Sequence, residues 1–204
     1  MMNLKSILWF VGGTVGIVIL VVALLWQFGA QSGKPITDIS GNKIHTFGTG
    51  NVEVVEFSDF QCPACGAVQI PLKQLLTKYE SKITFVYRHF PLSTIHPYAM
   101  IAAQASEAAG KQGKFWEMHD LLFARQSNWS QSEPSEVFKQ YAKELLLDEI
   151  KFAVDFGSQE TKDVVAADSL AATRYRISAT PTFYVNGIET TFEKIEGKIL
   201  ELTK

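Results

Sequence analysis

Val52-Glu53-Val54-Val55-Glu56-Phe57-Ser58-Asp59-Phe60-Gln61-Cys62-Pro63-Ala64-Cys65 carries a β-branched, mostly apolar run into the only two cysteines of the chain. Val52 to Phe57 reads as a strand covered on both faces. Period two sets Val52, Val54 and Glu56 on one face and Glu53, Val55 and Phe57 on the other. Glu56 therefore points into a packed layer, where a carboxylate is costly unless the strand ends there or the group has a task. Beyond the cysteines, Val68, Leu72, Leu75, Leu76 and Tyr79 recur at helical spacing. The helix starts at the motif, with Cys62 as its cap and Pro63 in the first position, where a missing N–H costs nothing. Pro71, inside the same pattern, predicts a kink.

That placement has a chemical consequence. A thiolate at a helix N-terminus faces unpaired N–H groups and the positive end of the helix dipole, which lowers its pKa. Cys65, one turn on, lies deeper, so Cys62 attacks and Cys65 resolves. The other readings of a lone C-x-x-C are weaker. A staple closing so short a loop contributes only about 2 kcal/mol. A zinc site usually takes four protein ligands, and the chain has no second C-x-x-C and no H-x-x-x-H. His89, His96 and His119 are what remains to complete a Cys/His site, so no metal and no cofactor is expected. No third thiol exists to trap a disulfide-shuffling protein. Redox use is the best account.

Phe57 to Cys65, preceded by an apolar strand, resembles the active-site segment of DsbA-like thiol–disulfide oxidoreductases of the thioredoxin superfamily. Ala179-Thr180-Pro181-Thr182-Phe183-Tyr184-Val185-Asn186-Gly187 supplies a second match. The resemblance covers roughly residues 44–204. It implies an α/β thioredoxin fold, a central mixed sheet flanked by helices with a helical insertion. It also implies a cis peptide at Pro181 facing the cysteines, and backbone at Thr180 that pairs with an extended substrate. Glu56, six positions before the first cysteine, takes the place of a family acid that moves protons to and from the second thiol. Pro63 and Ala64 depart from strongly oxidising members, which often carry a histidine between the cysteines. The implied partners are reduced or unfolded exported polypeptides and a quinone-linked membrane oxidase.

The long spacing between the motifs fits the same branch. Ile83 to His89 reads as a strand, and helical patterns follow at Pro97–Ala109, Lys114–Ala124, Pro134–Leu146, Asp148–Phe156 and Ser158–Tyr175. The insert thus spans about 96–176. Asn186-Gly187 predicts a type I′ turn into a strand at Ile188 to Phe192, then a closing helix at Glu193 to Thr203. Phe115-Trp116, Phe123 and Trp129 read as insert core or surface, and His96-Pro97 as the start of a helix. Asn128-Trp129-Ser130 matches a glycosylation sequon.

Composition bounds the remainder. The 204 residues hold 19 Lys+Arg against 21 Asp+Glu, a net charge of −2 without a basic run, which excludes nucleic acid as main partner. No charge occurs between Lys5 and Lys34, and 14 of the 22 residues from Ile7 to Phe28 are Leu, Ile, Val or Phe, enough to favour a bilayer. Twenty-two residues at about 1.5 Å each reach about 33 Å, the span of a hydrocarbon core. Residues 7–29 read as an uncleaved transmembrane anchor, in preference to a signal peptide cut near Ala30-Gln31-Ser32. Residues 1–6 then lie in the cytoplasm, 30–50 form a tether with a short strand at Lys43 to Phe47, and 51–204 form the domain. The protein is expected in the cell membrane as a single-pass chain, its domain on the extracytoplasmic side.

Three functions remain in play: an oxidase of substrate dithiols, a reductase or isomerase using the same thiols, and a thioredoxin-fold chaperone or metal carrier with incidental cysteines.

Overall fold

The computed structural model describes residues 16, 17, 19, 20 and 35–204. The anchor expected over 7–29 falls, but for four helical residues, outside the described residues. Among the described residues no helix is long and apolar enough to cross a membrane. Residues from Ile36 to Lys204 form one compact unit.

Five strands make one mixed sheet, in the order β1-β3-β2-β4-β5. They are β1 (His45–Phe47), β2 (Val52–Ser58), β3 (Ile83–His89), β4 (Thr182–Val185) and β5 (Ile188–Thr190). β2 and β3 are parallel, joined by the crossover helix α1 (Pro63–Lys78), and the other neighbouring pairs are antiparallel. β2 is therefore central and buried on both faces, as its run of valines demands. The remaining helices are α2 (Ala99–Gly110), α3 (Phe115–Ala124), α4 (Gln126–Trp129), α5 (Ser135–Glu144), α6 (Glu149–Asp155), α7 (Gln159–Arg174) and α8 (Phe192–Leu202).

The alternation expected along β2 separates two cores. Val52 and Val54 join Leu72 and Leu76 of α1, Ile195 and Ile199 of α8, and the helical insert. Val55 and Phe57 join Val86, Tyr184, Ala172, Ile177 and Ile39 on the other face. The segment expected as a tether is thus partly in the fold. Ile39 is fully buried, Ile36 N–H donates to the Gly187 carbonyl (2.9 Å), and Arg88 donates to the Ile39 carbonyl (2.9 Å).

Local expectations meet the structure closely. α1 begins at Pro63 with Cys62 as its cap and continues through Pro71. Asn186 and Gly187 have φ of 46° and 75°, the two positive values that a type I′ turn requires. A Cβ on Gly187 would stand 2.4 Å from the Ile36 carbonyl oxygen, so the close approach also needs glycine.

Differences fall at ends and in short pieces. β5 stops at Thr190 and not at Phe192, because Thr191 caps α8 and Phe192 packs against Phe183 (centroids 6.0 Å). β1 starts at His45 because Lys43 has a φ of 48°, outside strand geometry. α2 starts two residues after Pro97, since residues 92–96 form a turn closed on the Leu92 carbonyl. α5 is bounded by Pro134 and by the positive φ (58°) of Leu146. α4, four residues long, is too short to leave a periodic signature.

The insert has its own well-packed centre. Trp129 is fully buried, donates its indole N–H to the Leu122 carbonyl (2.8 Å) and packs edge-on to Phe138 (5.3 Å). Phe115 and Phe123 are buried too, so these aromatics are core. Trp129→Ala is expected to lower the unfolding free energy by about 3–5 kcal/mol, checked by urea denaturation.

Candidate active site

The site is made where the N-terminus of α1 meets the loop before β4. Cys62 has extended backbone (φ −70°, ψ 121°) and makes no capping bond of its own, which leaves its sulfur over the first N–H groups of the helix. Both cysteines are free thiols. Cys62 is 7% exposed and Cys65 is fully buried, whereas Pro63 and Ala64 between them are exposed. The Thr180–Pro181 peptide is cis. The carbonyl of Thr180 lies 3.4 Å from Cys62 Sγ, so the two motifs, 118 residues apart, meet as expected.

The two thiols differ sharply. The Cys62 thiol is pulled down to about 5, first by a hydrogen bond from Cys65, then by the Thr180 side chain and the N–H groups of Cys65 and Ala64, against the opposing effect of burial. Thr180 Oγ1 is buried with no hydrogen-bond partner; the bond formed at Cys62 runs from its Sγ to the Thr180 carbonyl. The Cys65 thiol is pushed up by burial, by donating to Cys62 and by the charge of Glu56. Such an asymmetry suits one sulfur to attack and leave, and the other to hold a proton.

Glu56 lies wholly inside, on the same side of β2 as Val52 and Val54. Its Oε1 accepts from Ser58 Oγ (2.8 Å) and Gln69 Nε2 (3.1 Å), while Oε2 is buried with no partner. Burial raises its pKa from 4.5 to about 7, more than the two neutral donors lower it. Tyr87 stands opposite in register, its hydroxyl buried without a partner and its pKa driven well up by burial and then by Glu56.

A second group of side chains holds the loop that carries Cys62, and none of them was assigned from the sequence. Asp59, 1% exposed, accepts from Gln61 N–H (2.7 Å), Leu92 N–H (2.8 Å) and His96 Nδ1 (2.7 Å). Gln61 donates to the Ser130 carbonyl (2.8 Å) and accepts from Tyr98 N–H (2.7 Å). Gln126 donates to the carbonyls of Phe60 (2.7 Å) and Cys62 (2.9 Å). His96, read as part of a helix start, is a partner of this clamp. Asp59 stood inside the quoted motif and could have been singled out as a buried acid, whereas Ser58, Gln69 and Gln126 carry no local signal. Beside Pro63 an open cleft of about 610 Å³ is walled by Gln61, His96, Tyr98, Gln126 and Ser130.

A family model described as thioredoxin matches residues 48–199. The chain belongs to the thioredoxin family. Its fold is shared with BdbD from Bacillus subtilis in the oxidised state (TM-score 0.67, 23% identity, 84% of this chain and 94% of that one). It is shared equally with the thiol-disulfide exchange protein alpha-DsbA2 from Wolbachia pipientis (TM-score 0.69, 19% identity, 87% and 93%). Among curated proteins, 136 residues are 44% identical to the Na(+)/H(+) antiporter NhaA 3 of Salinispora tropica, matching 67% of this chain and 20% of that protein. A protein named Na(+)/H(+) antiporter NhaA 1 from a Mycobacterium species matches over 136 residues at 38% identity. The chain thus spans about a fifth of these relatives' length.

Two titrations follow from the geometry. Glu56 has a folded pKa above its unfolded one, so its contribution to stability is present below about pH 4.5 and is lost as pH rises through 7. From 4.5 to about 7, at about 1.4 kcal/mol per pH unit, the loss is on the order of 3 kcal/mol. Glu56→Gln is expected to remove that part of the pH dependence and to be more stable than the parent at pH 8, by denaturation of the reduced proteins. Cys62 should react with iodoacetamide with a half-point near pH 5, and Thr180→Val should move it upward by removing a donor to the thiolate. A half-point unchanged by that substitution would remove Thr180 from the account.

Proposed function

We propose that this protein is a thiol–disulfide oxidoreductase that passes its Cys62–Cys65 disulfide to reduced exported polypeptides. The observation that carries this reading is the pair of unequal thiols: Cys62 held as an anion at the start of α1 against Thr180, and Cys65 buried and held neutral. A chaperone or carrier with incidental cysteines has no need of that inequality.

In the oxidised protein a substrate thiolate attacks Cys62 Sγ. The sulfur–sulfur bond breaks, and its electron pair goes to Cys65, which takes a proton. Glu56 supplies that proton: it is buried, titrates near neutrality and acts electrostatically on Cys65. A second substrate thiolate then attacks the substrate sulfur of the mixed disulfide and displaces Cys62 as a thiolate, a good leaving group because its pKa is low. The substrate is left with a disulfide and the protein with two thiols. The backbone at Thr180 and cis-Pro181 pairs with the extended substrate, a mode that reads main chain more than side chains. The exposed Pro63 and Ala64 and the adjoining cleft leave room for it.

Reoxidation falls to a quinone-linked membrane oxidase, and residues 7–29 anchor the domain beside it on the extracytoplasmic side of the cell membrane. Tethering raises the effective concentration of the two partners.

The thiol pKa also argues for direction. A nucleophilic thiol near 7 accompanies the thioredoxin potential of about −270 mV. Lowering that pKa stabilises the reduced form, so the pair is expected to be more oxidising than thioredoxin-like couples. Equilibration against glutathione buffers, with the thiol fraction read by mass, tests it. A potential at or below that of thioredoxin would overturn the oxidase direction.

A further inference from the structure

We propose that His45, His89 and Glu107 form a binding site for one divalent transition-metal ion of the zinc class, separate from the thiols. His45 comes from β1, His89 closes β3 and Glu107 lies on α2. Their exposures are 8%, 1% and 5%. Nε2 of His45 and Nε2 of His89 converge on the same oxygen, Oε1 of Glu107, at 2.5 and 2.7 Å, and the three donor atoms all lie within 4.8 Å of one another. Two imidazoles and one carboxylate are the protein ligands of a site that keeps an open position.

Three further observations favour an ion here. Each ligand sits on a different packed element, and the rings are held. His45 stacks on Phe115 (centroids 3.3 Å, 4° between planes) and His89 meets Tyr87 edge-on (5.3 Å). The buried carboxylate has no Lys or Arg partner among the described residues: its ion pairs are the two imidazoles, charged only when protonated. Nearby Lys111 is engaged by Asp155 and Glu160. Finally, the donors are reachable, since His45 and Glu107 line a cavity of about 390 Å³ with Gly110, Lys111, Phe115 and Glu160. Water in that cavity completes the coordination.

An ion with ligands at about 2.0–2.2 Å sets them roughly 3.3 Å apart, so the present hydrogen bonds open by less than 1 Å and each Nε2 offers its lone pair. His89 Nδ1 is buried without a partner, so no outer hydrogen bond supports that ligand. Loss of such support lowers affinity about 10–100-fold relative to a fully buttressed site.

The test uses the oxidised full chain, in which the disulfide removes both thiols as ligands. Titration with Zn²⁺ by calorimetry is expected to give one equivalent bound. Co²⁺ is expected to give the visible bands of a nitrogen–oxygen site, without a thiolate charge-transfer band and with paramagnetic shifts on the ring protons of His45 and His89. Glu107→Gln, shown by circular dichroism to be folded, is expected to weaken binding at least tenfold. Absence of binding to the wild-type chain, shifts on other histidines only, or unchanged affinity in a folded Glu107→Gln protein would each overturn the proposal. The cobalt spectrum decides the matter even where the variant fails to fold.

Discussion

Negative charge on Cys62 depends on donors that no single element supplies. The Cys65 thiol and two N–H groups come from the first turn of α1, and the Thr180 hydroxyl comes from the loop before β4. A helix end alone favours an anion by about 1 kcal/mol when exposed, and more when partly buried. The low pKa therefore needs the two motifs in contact, and the sheet makes that contact. β2 delivers the cysteines and its antiparallel neighbour β4 delivers Thr180, with Phe57 paired to Thr182. The insert adds the third support. Gln126 fastens the carbonyls of Phe60 and Cys62, and Gln61 reaches the carbonyl of Ser130. The helices between the motifs thus serve as a brace for the reactive loop.

Two buried glutamates show how the surroundings set the charge of one residue type. Glu56 receives hydrogen bonds from neutral donors, Ser58 and Gln69, and burial prevails, so its pKa rises to about 7. Glu107 is also subject to burial, but hydrogen bonds and charge from His45 and His89 outweigh it and bring the pKa down to about 2. A carboxyl that titrates near neutrality suits proton exchange with Cys65, whereas one that stays ionised suits a structural ion pair or a cation. Glu56 lies on β2 and Glu107 on α2, the latter bonded to His89, which pairs in register with Ser58 of β2.

The fold's outline and the core of the site were legible in the chain. The alternation of β2, the strand at Ile83–His89, the cap at Cys62, the Asn186–Gly187 turn and the cis peptide at Pro181, with the Thr180 carbonyl beside Cys62, all stand as read. Each rests on local physics, such as strand period, helix capping and positive φ, or on a motif resemblance. Element ends moved where a single torsion or cap decides, as at Lys43, Leu146 and Thr191. Ser58, Gln69, Gln126, His96 and the His45–His89–Glu107 cluster were not legible, because their partners lie 2 to 66 residues away with no repeating pattern between them.

By itself the order of residues determined which sulfur heads a helix, which face of the central strand receives Glu56, and that nothing else in the chain carries a thiol. Those are properties of neighbours a few positions apart. Only the tertiary structure decided how far each group ionises. Burial, the Thr180 hydroxyl and the imidazoles around Glu107 act through space, and a pKa answers to every charge and donor within a few ångströms, whatever their distance along the chain.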